Sequence, residues 1–394
     1  MARTRTWMCC ATIALGAAIA PATVASAQTD TASFQWGVSY ITDVVSVARG
    51  EESQQAALSK LSAHATWDLD RAMGWRGWNA HVELLRTAGD APNHFAGLRE
   101  GFDSIEVQHH DTRLYQAYLD RAFERGLLRL GYFDLNAEFY DTQSSQLFLA
   151  PAFGVGAEFA ATGRNGPSIF PVTALGAFAR LDVDERHYVR MAIVDALASG
   201  ADEWSDLDLR WNDGALLIAE VGSSGNGKTA VGAWTYSRAR DDIRSVVGGE
   251  PIQRPAFGGY GLIERRLGLA ASPDRPIEVF ARAGFSDGDT SDFVESAQAG
   301  VRVERPLLSR PGSELAFGLH VAELSSKARA NLRDQGVRAA ASEIGAELTY
   351  SDVVFRHLRL QPVVQVNFNP GGVGSASPVF ISVLRLEIAL GPEP

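Results

Sequence analysis

The sequence predicts an all-β fold, a transmembrane antiparallel β-barrel of about sixteen strands. Three observations carry this prediction. Segments of about ten residues alternate apolar with polar or small side chains, and that is the length a tilted strand needs to cross the hydrocarbon layer. Aromatic residues gather near segment ends, at Trp36, Tyr40, Trp67, Trp75, Trp78, Tyr132, Trp234, Tyr236, Tyr260 and Tyr350, as in the girdles of a membrane barrel. Short connections, at 71–74, 182–186, 223–228 and 351–356, are interleaved with long ones at 87–111, 136–170, 239–257 and 325–341.

The chain opens on MARTR, follows with an apolar and small-residue run from Trp7 to Val24, and then reads Ala25-Ser-Ala-Gln28. A positive end, a short greasy middle and small residues at a cleavage point are the parts of a secretory signal, with cleavage expected after Ala27. Residues 1–27 are therefore the expected export signal and 28–394 a single barrel domain. A permanent helical anchor fits less well, because Thr6, Thr12, Gly16 and Pro21 interrupt the run. The 2 cysteines, Cys9 and Cys10, leave with the signal. The mature chain then has no disulfide, thiolate metal site or cysteine nucleophile.

Strand follows strand along the rest of the chain. Over residues 57–69, Leu61, Ala63, Ala65, Trp67 and Leu69 share one side against Lys60, Ser62, His64, Thr66 and Asp68. Trp78, Ala80, Val82 and Leu84 face away from Asn79, His81 and Glu83. Leu315, Phe317, Leu319 and Val321 oppose Glu314, Gly318 and His320. Ile344, Ala346, Leu348 and Tyr350 oppose Glu343, Gly345, Glu347 and Thr349. Pro362, Val364, Val366 and Phe368 oppose Gln361, Gln365 and Asn367. A soluble sandwich shows the same alternation, so strand length, aromatic placement and connection pattern decide for a barrel with an apolar outside and a polar lumen. The count runs from near Phe34 to near Leu390, an even number that returns both ends to one side.

A net charge of −11 argues against nucleic acid as a partner. After the signal no run of about eighteen apolar residues remains for a membrane helix. The piece GSSGNGKT at 222–229 has the wrong glycine spacing for a phosphate loop and is flanked by strands, so it reads as a hairpin turn. His109, His110 and Asp111 are consecutive and do not converge on one metal ion. With no nucleophile elbow or zinc-helix pattern, the expectation is no enzyme, no metal and no cofactor. Alternation turns Arg129, Arg190, Arg282, Arg302, Arg359 and Arg385 inward, together with Glu83, Glu220, Glu278, Glu304, Glu347 and Glu387. Such a lumen of mixed sign offers donors and acceptors to neutral, hydroxyl-rich solutes.

The segment LRLGYFDLNAEF at 128–139, followed by QLFLAPAFG at 146–154, resembles the central signature of the carbohydrate-selective porins of the OprB type. GALLIAE at 214–220, GAW at 232–234, GYGL at 259–262, FARAG at 280–284, ELTY at 347–350 and LQP through NPGG at 360–372 continue the likeness in order. The resemblance implies a sixteen-stranded barrel whose channel is narrowed by loops folded into the lumen, those after Leu85 and Leu135. It also implies passive diffusion of monosaccharides or small oligosaccharides across the outer membrane of a Gram-negative bacterium. It places Arg129 and Glu138, and in a later strand Glu220, where sugar hydroxyls are engaged. Glu83 and Arg113 complete the expected constriction set. Expected partners are neutral sugars, outer-membrane lipids and the barrel-assembly machinery. Porins of this size occur as homotrimers, although one chain already closes a barrel. The competing readings are a non-conducting structural or adhesive barrel and a barrel lipase. Two departures stand out: the chain ends LEIAL and then GPEP where such barrels commonly finish on an aromatic residue, and the loops match least.

Overall fold

The computed structural model describes residues 33–198, 211–268 and 275–391, and the expected signal at 1–27 lies outside them. The strands in chain order are β1 Phe34–Arg49, β2 Glu52–Asp68, β3 Trp78–Gly89, β4 Thr112–Phe123, β5 Gly126–Phe133, β6 Ala174–Asp182, β7 His187–Asp195, β8 Ala215–Gly225 and β9 Gly227–Tyr236. They continue as β10 Arg240–Val247, β11 Glu250–Arg254, β12 Phe257–Leu267, β13 Ile277–Ser286, β14 Phe293–Glu304, β15 Glu314–Leu324, β16 Ser342–Phe355, β17 Leu358–Phe368 and β18 Val379–Leu390. Sixteen of them close one antiparallel barrel, with β1 pairing β18 from Val38 opposite Leu390 to Arg49 opposite Val379. The other two, β10 and β11, pair as a separate hairpin within the long connection at 239–257. Gly248 and Gly249 make its two-residue turn, both at positive φ, as a tight hairpin of right-handed twist requires.

Burial is inverted relative to a soluble domain. Along β17 and β18, apolar Val364 and Leu384 stand 52% and 42% exposed, whereas Gln365 and Arg385 keep 5% and 8%. Glu347 on β16 is 1% exposed and its neighbour Leu348 44%. An apolar outer surface around a polar lining suits lipid outside and water or protein within.

Two aromatic belts frame the outside. On the side of the short turns stand Trp36, Trp67, Trp75, Phe123 and Phe355, and at the opposite strand ends Phe257, Phe285, Phe368 and Phe380. Trp234, Tyr236 and Tyr260, expected among the girdle residues, point inward and are nearly buried, 2% to 5% exposed. A loop covers the lumen wall there, so both faces of that wall are apolar and alternation alone does not separate them.

Glycine makes room for the inward rings. His64, Tyr188, Tyr260, Phe280 and His320 each sit directly across a strand pair from a glycine, respectively Gly37, Gly222, Gly232, Gly300 and Gly345. A Cβ on any of these glycines would collide with the ring opposite, so each ring leans into the space that the missing side chain leaves.

Candidate functional site

The segments 90–111 and 134–173 fold into the lumen, and wall carboxylates hold them by backbone groups. Glu347 accepts the Leu149 and Ala150 N–H groups at 2.7 and 2.9 Å. Glu264 accepts the Ser144 N–H at 2.7 Å and its hydroxyl at 2.5 Å. Glu343 accepts the N–H groups of Arg99 and Glu100, each at 3.1 Å, and of Gly371 at 2.7 Å. Arg282 works in the opposite sense, donating to the carbonyls of Tyr140, Ala152 and Gly154 at 2.8, 2.7 and 2.9 Å. Gly318 leaves a hollow in the wall that the rings of Phe148 and Phe153 occupy.

Where segment 134–173 leaves β5, Asp134 caps a short helical turn over Leu135–Ala137 through the Asn136 N–H. Burial pushes the Asp134 carboxyl up to about 6, although the Tyr115 hydroxyl donates to it. Four residues on stands Glu138. Burial raises its carboxyl, and Arg129 and Arg190 oppose that shift. Arg129 donates to Glu138 at 3.2 Å and forks onto Asp120 at 2.8 and 3.0 Å. Arg190 lies 3.7 Å from the Glu138 carboxylate and 3.8 Å from Glu220. Glu220 accepts the hydroxyls of Tyr188 and Tyr260 at 2.8 and 2.6 Å, and Lys228 stands 3.7 Å away. Arg129, Arg190 and Lys228 thus face Asp120, Glu138 and Glu220, three cations against three carboxylates in one continuous network. On the loop side of it, the folded segments enclose a cavity of about 490 Å³ bordered by Glu100, Asp103, Asp134, Phe153 and Phe170.

Comparisons with known proteins agree on the barrel and name its family. The family model for the carbohydrate-selective porins, OprB family, matches residues 53–390. The chain belongs to that family. Among solved structures, the high-pH structure of Pseudomonas putida OprB has a TM-score of 0.80 at 16% identity and covers 90% of this chain and 94% of that one. The low-pH structure of the same protein has a TM-score of 0.56 at 14% identity, covering 90% and 93%. An anion-selective porin from Comamonas acidovorans has a TM-score of 0.52 at 13% identity, covering 91% and 100%. No curated protein sequence matches the chain.

In this OprB-family porin the structure brings together three of the five residues expected at the constriction, Arg129, Glu138 and Glu220. Glu83 stands beside them on β3 in a separate cluster, accepting the Ser62 hydroxyl and the Gln116 amide, the latter at 2.8 Å. Arg113 sits higher, at the loop end of β4, where it pairs with Asp111 and reaches the Pro171 carbonyl. The sequence reading did not assign Asp120, Arg190 and Lys228 to the site. Asp120 and Arg190 follow Tyr118 and Tyr188 at a spacing of two, which puts each charge beside a ring on the same face.

Proposed function

We propose that this carbohydrate porin passes neutral sugars, monosaccharides such as glucose or small oligosaccharides, down their gradient through the lumen. One observation carries the reading: Arg129, Arg190 and Lys228 stand within 3.8 Å of Asp120, Glu138 and Glu220, three cations to three carboxylates, so their formal charges cancel. A hydroxyl is donor and acceptor at once and exchanges with such groups without loss of hydrogen bonds. Arg129, Glu138 and Glu220 make these contacts in this reading, with Glu83 and Arg113 lining the approach. The protein works without a cofactor and does no chemistry on the solute. It reaches the outer membrane after cleavage behind Ala27, and the barrel-assembly machinery inserts it among the lipids there.

The test is single-channel conductance of the refolded mature protein in a planar bilayer, titrated with glucose and with a longer maltooligosaccharide. Block at millimolar sugar is the expected result. A folded barrel without conductance steps would favour a closed, structural role instead. Analytical ultracentrifugation in detergent decides between a monomer and a homotrimer.

A further inference from the structure

We propose that the cavity between the two inward segments binds the ammonium group of an aminated monosaccharide, so that the channel prefers amino sugars to neutral ones. This rests on the carbohydrate reading above and adds a second site to it, on the loop side of the network. The charge balance differs between the two places. In the network the formal charges of Arg129, Arg190 and Lys228 are cancelled, whereas the cavity is bordered by Glu100, Asp103, Glu106, Asp134 and Asp141 against Arg99 and Arg385. Both guanidiniums are also engaged elsewhere, Arg99 by Asp292 and Arg385 by Asp43.

Two of the acids have basic partners in the protein. Glu100 lies 3.0 Å from Nδ1 of His320, and Asp103 accepts from Arg385 at 3.2 Å. Glu106, Asp134 and Asp141 have no ion pair among the described residues. Their donors are neutral: the Asn93 N–H at 2.9 Å for Glu106, the Asn136 N–H and Tyr115 hydroxyl for Asp134, and the Gln146 amide at 2.8 Å for Asp141. Two buried carboxylate oxygens receive no donor from the protein, Oε2 of Glu106 and Oε1 of Glu100, the latter on a side chain 1% exposed. A buried acceptor left unpaired is costly, so both call for a donor from outside the chain. Burial holds the Glu106 carboxyl up at about 7 and that of Asp134 at about 6, as befits acids without a counter-ion beside them.

A protonated amine brings three donors and the missing positive charge, and the hydroxyls of its ring serve the remaining acceptors. A volume of about 490 Å³ suits a ligand of that size. A bare divalent ion matches less well, because among the described residues no three of these carboxyls converge as its coordination requires. An anionic sugar meets the same carboxyls as repulsion. The cavity therefore ranks solutes by charge before they reach the network, which treats both signs alike.

The experiment compares block of single-channel current by glucosamine, N-acetylglucosamine and glucose at neutral pH, in the full mature chain and in Glu106→Gln and Asp141→Asn. Glucosamine should half-block the wild type at a concentration about tenfold below the other two. That preference should narrow as salt is added, since screening weakens the attraction. Each variant removes one carboxylate charge and keeps an acceptor oxygen, and in each the preference should shrink by about threefold or more. Asp141→Asn decides alone if Glu106→Gln does not fold. Equal block of the wild type by glucosamine and glucose overturns the amine site and leaves the carbohydrate reading standing, and so does a preference that the folded variants retain in full. A wild type that no sugar blocks overturns that reading and the amine site with it.

Discussion

Glu347 and Leu149 join the barrel wall to the inward segment: the β16 carboxylate accepts the Leu149 N–H at 2.7 Å. Its second oxygen takes the next N–H, that of Ala150. Glu347→Ala strands two buried backbone donors and leaves the Gln365 amide one acceptor short, and each unsatisfied group costs about 1–3 kcal/mol. The expected outcome is a channel with larger and noisier single-channel current, and faster proteolytic nicking between residues 134 and 173. Unchanged current and protease resistance would mean that Arg282 and Glu264 suffice to hold the segment.

Arg129→Ala removes a guanidinium that pairs with both Asp120 and Glu138. Hydrogen bonds to charged groups are worth about 1.5–3 kcal/mol, so the half-blocking glucose concentration should rise by roughly tenfold or more. Two cations would then face three carboxylates, and the reversal potential in a salt gradient should move toward cation selectivity. A substitution that alters neither reading removes Arg129 from the conduction path.

Gly318→Val places methyl groups where Phe148 and Phe153 now sit, since even a Cβ would come within 2.7 Å of the Phe153 ring. Overpacking of this kind costs about 1–3 kcal/mol. The inward segment should shift, raising conductance and lowering the thermal midpoint of the folded barrel. Gly318→Ala should do the same to a smaller degree. A Gly318→Val variant with wild-type conductance would show that the two rings yield without moving the backbone.

Glu106 lies on the other inward segment, and burial pushes its carboxyl from an ordinary 4.5 up to about 7 against the pull of the Asn93 N–H. Docking thus favours the neutral acid. The contribution is full below about pH 4.5 and is lost as pH rises through about 7. Proteolytic protection of residues 90–111, measured as the ratio of wild type to Glu106→Gln at each pH, should fall across that interval. A flat ratio would show that Glu106 stays ionised throughout.

The strand pattern is legible because lipid-facing positions are predominantly apolar while their neighbours need not be. The segment 358–368, with Val364 and Val366 alternating against Gln365 and Asn367, has one periodicity and one solution. The site is legible only in part. Arg129 and Glu138 are 9 residues apart and lie within one matched signature. The anchors are not legible, because Glu347 meets Leu149 across 198 residues through a backbone N–H that every residue but proline carries. Trp234 and Tyr260 misled for a physical reason: a barrel wall covered by protein on the inside is apolar on both faces, and the alternation that separates lipid from lumen fades there.

The seam between the first and last barrel strands carries one more consequence. Arg385 of β18 forks onto Asp43 of β1 and also holds Asp103 of the segment 90–111. Asp43 and Arg385 stand opposite each other only once the two ends of the chain have met. That segment therefore gains its full anchorage after the circle is complete, and an unclosed sheet would carry it loosely. Sealing the cylinder and fitting its filter are, for this part of the protein, a single late event in biogenesis.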